Sequence, residues 1–144
     1  MKRNWPQEIR RERVLANFRP ERRKEARISR QKQREGNNEA HLVLIRQLVC
    51  CIPGCTSRPP HDPHHLRSGP AHKERGFGMR ATDRRAVPAC RRHHDGAHSV
   101  PPSKEVEWFI DMGVEDVHAL ADALWLAPRT VEAMARIVMA HKNE

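Results

Sequence analysis

The stretch from Cys50 to Pro102 holds eight of the eleven prolines of the chain, all four of its cysteines and seven of its ten histidines. Proline removes a backbone donor and fixes φ, so such a stretch contains no long helix and no uninterrupted central strand. Short elements joined by loops are what remain. Apolar residues to hold them are scarce, with 38% hydrophobic and 4% aromatic residues in the whole chain. A small loop-rich region with so little to bury is expected to be stapled by a bound metal.

The cysteines suit that role. No apolar run is long enough to span a membrane, and no apolar stretch follows the basic N-terminus. An intracellular, cytoplasmic protein with no membrane partner is therefore expected, and there thiols serve metals before disulfides. The net charge of +9 is unevenly spread: +8 over residues 1–35, +5 over 36–103 and −4 over 104–144. A basic surface favours a polyanionic partner such as nucleic acid.

Three segments follow. Residues 1–38 read as a basic arm that orders on a phosphate backbone, ending in the break Gly36-Asn37-Asn38. Residues 39–102 form the core. It begins with an apolar stretch from Glu39 to Val49 that fits either helix or strand. Arg84 to Ala89 is expected as a short strand, with Ala86 and Val87 inward, and Arg91 to His98 as a short helix. Residues 103–144 form an acidic helical tail. Its first helix is expected to be capped by Ser103 and ended by Gly113, its second carries Val117 to Leu124, and its third has Pro128 in the first turn. The tail is too acidic to read DNA, so it is taken as a packing or oligomerisation unit.

Two ligand sets emerge from spacing. Zinc favours four Cys/His ligands in two close pairs. Cys51 and Cys55, around the turn Pro53-Gly54, provide one pair, and Cys90 and His93 the other. Cys51 is taken over Cys50 for its tighter spacing. The second set is His64, His94 and His98. A separation of four puts His94 and His98 on one helix face, and three imidazoles can hold a cation with positions left open. His65 then points away from the metal and serves as a general base, for which the ordinary histidine pKa of about 6.5 is suited. Asp62 is a candidate to brace a ligating histidine.

These residues fall in a recognisable order: Cys51, Cys55, His64-His65-Leu66-Arg67, Gly78-Met79-Arg80-Ala81-Thr82-Asp83, Pro88-Ala89-Cys90-Arg91-Arg92-His93-His94, His98. The pattern resembles the HNH nucleases, the ββα-metal or His-Me finger group, in phage-type members with a structural zinc. The resemblance covers about a third of the chain. It implies an α+β fold, a small treble-clef-like ββα-metal core clamped by Zn²⁺, with the basic arm and C-terminal helices appended. It makes His64 a metal ligand, His65 the base and Asp83 the residue that braces the loop orienting His65. Many members carry Asn there; an ionised Asp only accepts hydrogen bonds.

The implied activity is metal-dependent endonuclease cleavage of DNA, or RNA as an alternative, with low sequence specificity, in a bacterial or phage-infected cell. Arg67, Arg80, Arg84 and Arg85 are expected at the phosphates beside the cut. Mg²⁺ is the catalytic cation expected from the resemblance, with Mn²⁺, Ni²⁺ and Zn²⁺ as alternatives that suit imidazoles better. The competing reading is a non-catalytic, zinc-stabilised nucleic-acid-binding accessory protein of recombination. The C-terminal helices offer a surface for homo-oligomerisation.

Overall fold

A computed structural model describes residues 35–76 and 78–143. The basic arm of 1–38, apart from its last four residues, lies outside the described residues. The protein is a mixed α+β structure. Helix α1 (Glu39–Arg46) is followed by strand β1 (Asp62–His65), helix α2 (Pro70–Glu74), a 3-10 turn (Asp83–Arg85), strand β2 (Ala86–Ala89) and helix α3 (Arg91–Ser99). A second 3-10 turn (Pro102–Lys104) leads to α4 (Glu105–Asp111), α5 (Val117–Leu126) and α6 (Val131–Lys142).

Of the stretch 39–49, Glu39–Arg46 forms a helix. Asn38 caps it, its side chain accepting from the His41 amide, with Glu39 in the first turn and Arg46 in the last. Leu42 and Ile45 lie on its buried face. The expected strand is β2, buried along its whole length. It pairs antiparallel with β1 in the register Asp62–Ala89, Pro63–Pro88, His64–Val87 and His65–Ala86. Two prolines stand opposite each other, so two backbone donors are missing, and among the described residues the sheet has these two strands. Alternation along β1 then sends His64 and His65 to opposite faces, one fully buried and one half-buried.

Two expected helix starts shift. Ser103 lies inside the second 3-10 turn, and α4 begins at Glu105 without a side-chain cap. Consecutive prolines 101 and 102 force the chain through that tighter turn first. Pro128 precedes α6, whose cap is Thr130, with its hydroxyl accepting from the Ala133 amide. Asp116 caps α5 in the same way.

The core is continuous across the expected boundary at 102/103. Ile45, Leu48, Leu66 and Val87 pack in one buried cluster with Phe109, Leu120, Leu124, Met134 and Val138. Gly96 lets α3 close on α4: a Cβ there would meet the Trp108 ring at 2.8 Å. With α4 packed there, Glu105 at its N-terminus meets His64 of β1. Among the described residues no helix is long and apolar enough to cross a membrane.

Candidate metal centres

Cys50, Cys55, Cys90 and His93 lie together, in an arrangement compatible with a structural metal site. His93 Nδ1 is 3.4 Å from Cys50 Sγ and 3.2 Å from Cys90 Sγ, and Cys55 Sγ is 3.8 Å from Cys90 Sγ. The fourth member is Cys50, correcting the choice of Cys51. The Cys51 amide donates to the Pro88 carbonyl at 2.9 Å, which aligns the chain beside β2. Both thiols are fully buried, but Cys50 turns to His93 while Cys51 stands outside the ligand cluster. Cys90 precedes the first turn of α3, where burial opposes its ionisation. The His93 amide and the neighbouring thiols outweigh burial and hold its pKa below the ordinary thiol value. From the far end of the chain, Lys142 Nζ donates to the carbonyls of Cys50 (3.0 Å) and Cys55 (3.2 Å), tying α6 to this knuckle.

His64 of β1 and His94 and His98 of α3 form the second cluster, with their donor atoms all within 4.8 Å of one another. Ring centroids are 5.2 Å apart for His64 and His94, 5.0 Å for His64 and His98, and 4.7 Å for His94 and His98. Burial first, then the neighbouring His64, lower the pKa values of His94 and His98, which keeps both rings neutral and able to donate a lone pair. The Nδ1 atom of His64 is buried without a hydrogen-bond partner in the protein, and that of His94 has only the Asp95 carboxylate near it, at 3.7 Å. A buried ring nitrogen left unpaired is costly, and a cation among the three rings would relieve it.

His64 is held from behind by Glu105. Its Nε2 lies 3.0 Å from Glu105 Oε1. The same carboxylate, fully buried, accepts from Arg67 N (2.7 Å), Arg67 Nε (3.1 Å), Ser68 N (3.0 Å) and Ser68 Oγ (2.8 Å). Burial opposes its ionisation, but the bonds from His64, Arg67 and Ser68 prevail and hold its pKa at about 2. A carboxylate bonded to one nitrogen of a histidine fixes its tautomer and leaves the other nitrogen for a metal. Asp62, expected to brace a ligating histidine, makes no hydrogen bond to one: its side chain is 61% exposed, lies 3.6 Å from Arg91 and reaches His94 only through its charge.

On the other face of β1, His65 Nε2 is 2.9 Å from Asp83 Oδ1. Burial works against the Asp83 carboxylate, yet hydrogen bonds from His65 and the Asn38 amide lower its pKa below the usual range. With Nε2 bonded to a carboxylate, Nδ1 of neutral His65 carries the free lone pair.

The arginines divide. Arg67 is turned inward: besides Glu105, its Nη2 donates to the carbonyls of Ala97 (2.6 Å) and Val100 (3.0 Å) at the end of α3. Arg85 is buried between Glu74 (2.7 Å) and Asp122 (2.9 Å). Both are held by partners within the protein, which the expectation of phosphate contacts did not foresee. Arg84, paired with Asp122 at 3.2 Å, and Arg80, 3.4 Å from Asp83, keep side chains about half exposed.

Residues 12–114 match the family model described as "Protein of unknown function (DUF968)", and the chain belongs to that family. The matched span includes both clusters, the His65–Asp83 pair and Glu105. The protein described as "Uncharacterized protein YdfU" from Escherichia coli (strain K12) is 32% identical over 68 residues, which are 47% of this chain and 18% of that protein. The match thus spans about a fifth of that relative's length. No solved structure matches.

Proposed function

We propose that this protein is a metal-dependent endonuclease of the HNH type, hydrolysing phosphodiester bonds of DNA. The observation that carries the proposal is His65. It stands next to a ligand of the three-histidine cluster without belonging to it. Its Nε2 is committed to a buried carboxylate, so its Nδ1 is open. A site that only bound metal would have no use for this second, oriented imidazole. The two strands with α3, and the resemblance of the Cys51–His98 sequence pattern, support the same reading.

The cysteine cluster is assigned to Zn²⁺. A tetrahedral site with bonds of about 2.3 Å to sulfur and about 2.0 Å to nitrogen has edges of about 3.8 Å and about 3.5 Å. The corresponding separations here are 3.8 Å for sulfur to sulfur and 3.4 and 3.2 Å for sulfur to nitrogen. His64, His94 and His98 are assigned to the catalytic divalent cation. When bound, it would stabilise negative charge developing on the phosphate and the leaving oxygen. Mg²⁺ is expected from the resemblance, whereas three imidazoles favour softer Mn²⁺, Ni²⁺ or Zn²⁺.

His65 Nδ1 accepts a proton from water as the water attacks phosphorus in line, and Asp83 stabilises the imidazolium that forms. Glu105 keeps His64 aimed at the cation and is not itself in the proton path. Arg80 and Arg84 remain candidates for contacts to flanking phosphates, which carry no sequence information.

The test is nicking of supercoiled plasmid by the full chain with Mg²⁺, Mn²⁺ or Ni²⁺, against His65→Ala. The parent is expected to convert supercoiled to open-circular DNA, and the variant to lose on the order of a hundredfold or more in rate. A parent that never cuts, or a variant that cuts equally well, would falsify the nuclease reading.

A further inference from the structure

Read in the sequence only as a break, Gly36-Asn37-Asn38 grips the residue that orients the base. Three hydrogen bonds join it to Asp83 and Arg84. The Arg84 amide donates to the Gly36 carbonyl at 3.0 Å, the Asp83 amide to Asn37 Oδ1 at 3.2 Å, and the Asn38 amide to Asp83 Oδ2 at 2.9 Å. Gly36 adopts φ +85, and a Cβ there would lie 3.1 Å from the Thr82 hydroxyl, so the contact needs glycine for both conformation and space. Asn38 is fixed in turn, because its side chain caps α1 by accepting from the His41 amide at 3.2 Å. Helix α1 is anchored by buried Leu42 and Ile45.

We propose that Asn37 and Asn38 form a positioning clasp for the general base, acting through Asp83; the role in catalysis rests on the nuclease reading above. Asp83 Oδ1 meets the N–H of His65 and Asp83 Oδ2 meets the N–H of Asn38, so both oxygens face donors. A carboxylate satisfies two donors at once. An amide would turn its own NH₂ against one of them. The extra donor from the start of α1 therefore requires at position 83 a side chain that accepts on both sides. With its backbone amide and both oxygens held, Asp83 leaves the His65 ring one orientation, with Nε2 protonated and Nδ1 open.

The test compares the full chain with Asn37→Ala, which removes the acceptor of the Asp83 amide, and Asn37→Ser, which retains a side-chain oxygen. Two readouts are taken on ¹⁵N-histidine-labelled protein: the His65 ring tautomer by long-range ¹H–¹⁵N spectra, and kcat and KM for plasmid nicking with Mn²⁺. In Asn37→Ala the Nε2–H tautomer should give way to a mixture, and kcat should fall roughly ten- to a hundredfold while KM changes by less than about twofold. Asn37→Ser should recover part of both. A folded Asn37→Ala with the parent's tautomer and the parent's kcat overturns the clasp. If the parent does not cut DNA, it is the nuclease reading that fails, and the tautomer comparison alone decides whether the clasp orients His65.

Discussion

Glu105 is a charged side chain with no access to water, placed by its helix against a histidine 41 residues earlier in the chain. Burying such a charge costs several kcal/mol, and the loss is offset only because each oxygen is surrounded by donors. Glu105→Gln keeps the shape and turns an NH₂ toward groups that themselves donate. Cation affinity at the three histidines, measured by calorimetric titration with Mn²⁺, is expected to fall about ten- to a hundredfold. Metal bound at the cysteine cluster should be unchanged. An unaltered affinity at the histidines would show that Glu105 serves the fold alone. The histidines were legible because their spacing expresses local geometry: a strand pair at 64 and 65, a helical turn between 94 and 98. Glu105 was not, because no local pattern marks a partner delivered by a later helix. Asp62 was the nearer acid in sequence, but it lies on the exposed side at the start of β1.

Elements explain which cysteine is used. The two candidates at 50 and 51 differ by one residue, and both are fully buried. Spacing to Cys55 could not decide between them. The fold does: it sets Cys50 Sγ 3.4 Å from His93 Nδ1, while the Cys51 amide is held by the Pro88 carbonyl and its thiol lies outside the ligand cluster. Cys50→Ser is therefore expected to lose the metal equivalent and to unfold the knuckle, whereas Cys51→Ser should retain the metal and lose only a buried thiol's packing. Zinc content by elemental analysis together with thermal unfolding of both variants checks this. Metal loss in Cys51→Ser with retention in Cys50→Ser would restore the first assignment. The same scale shows why most elements could be read and their ends could not. Apolar spacing marked α5 and α6, but Pro101-Pro102 inserts a 3-10 turn before α4 that displaces its start from Ser103.

At the scale of the whole molecule, the acidic C-terminal segment is built into the sites rather than appended to them. Glu105 reaches the histidines, Asp122 holds Arg84 and Arg85, Lys142 closes over the cysteine knuckle, and Arg129 donates to Nδ1 of fully buried His41. The last contact links the turn before α6 to α1, and Trp125 packs edge-on to the same imidazole at 5.0 Å. Burial first, then the charge of Arg129, lower the His41 pKa from 6.5 to about 4. The folded value thus lies below the unfolded one. Above pH 6.5 both states hold His41 neutral and it adds no pH dependence. Between pH 6.5 and about 4 the unfolded chain takes up a proton that the folded chain refuses, so stability falls as pH falls. A separation of this size corresponds to about 3 kcal/mol lost across the window. His94, His98 and His118 are depressed too and add to the slope, so the parent alone cannot isolate His41. A difference between two proteins can. His41→Gln removes the titration while leaving the other histidines in place. It is expected to be less stable than the parent at pH 7.5, where neutral His41 is well packed. Its further loss on going to pH 4.5 should be smaller than the parent's by about 2 to 3 kcal/mol. Urea unfolding of both at the two pH values measures this, and parallel losses would mean that His41 takes up its proton within the folded protein.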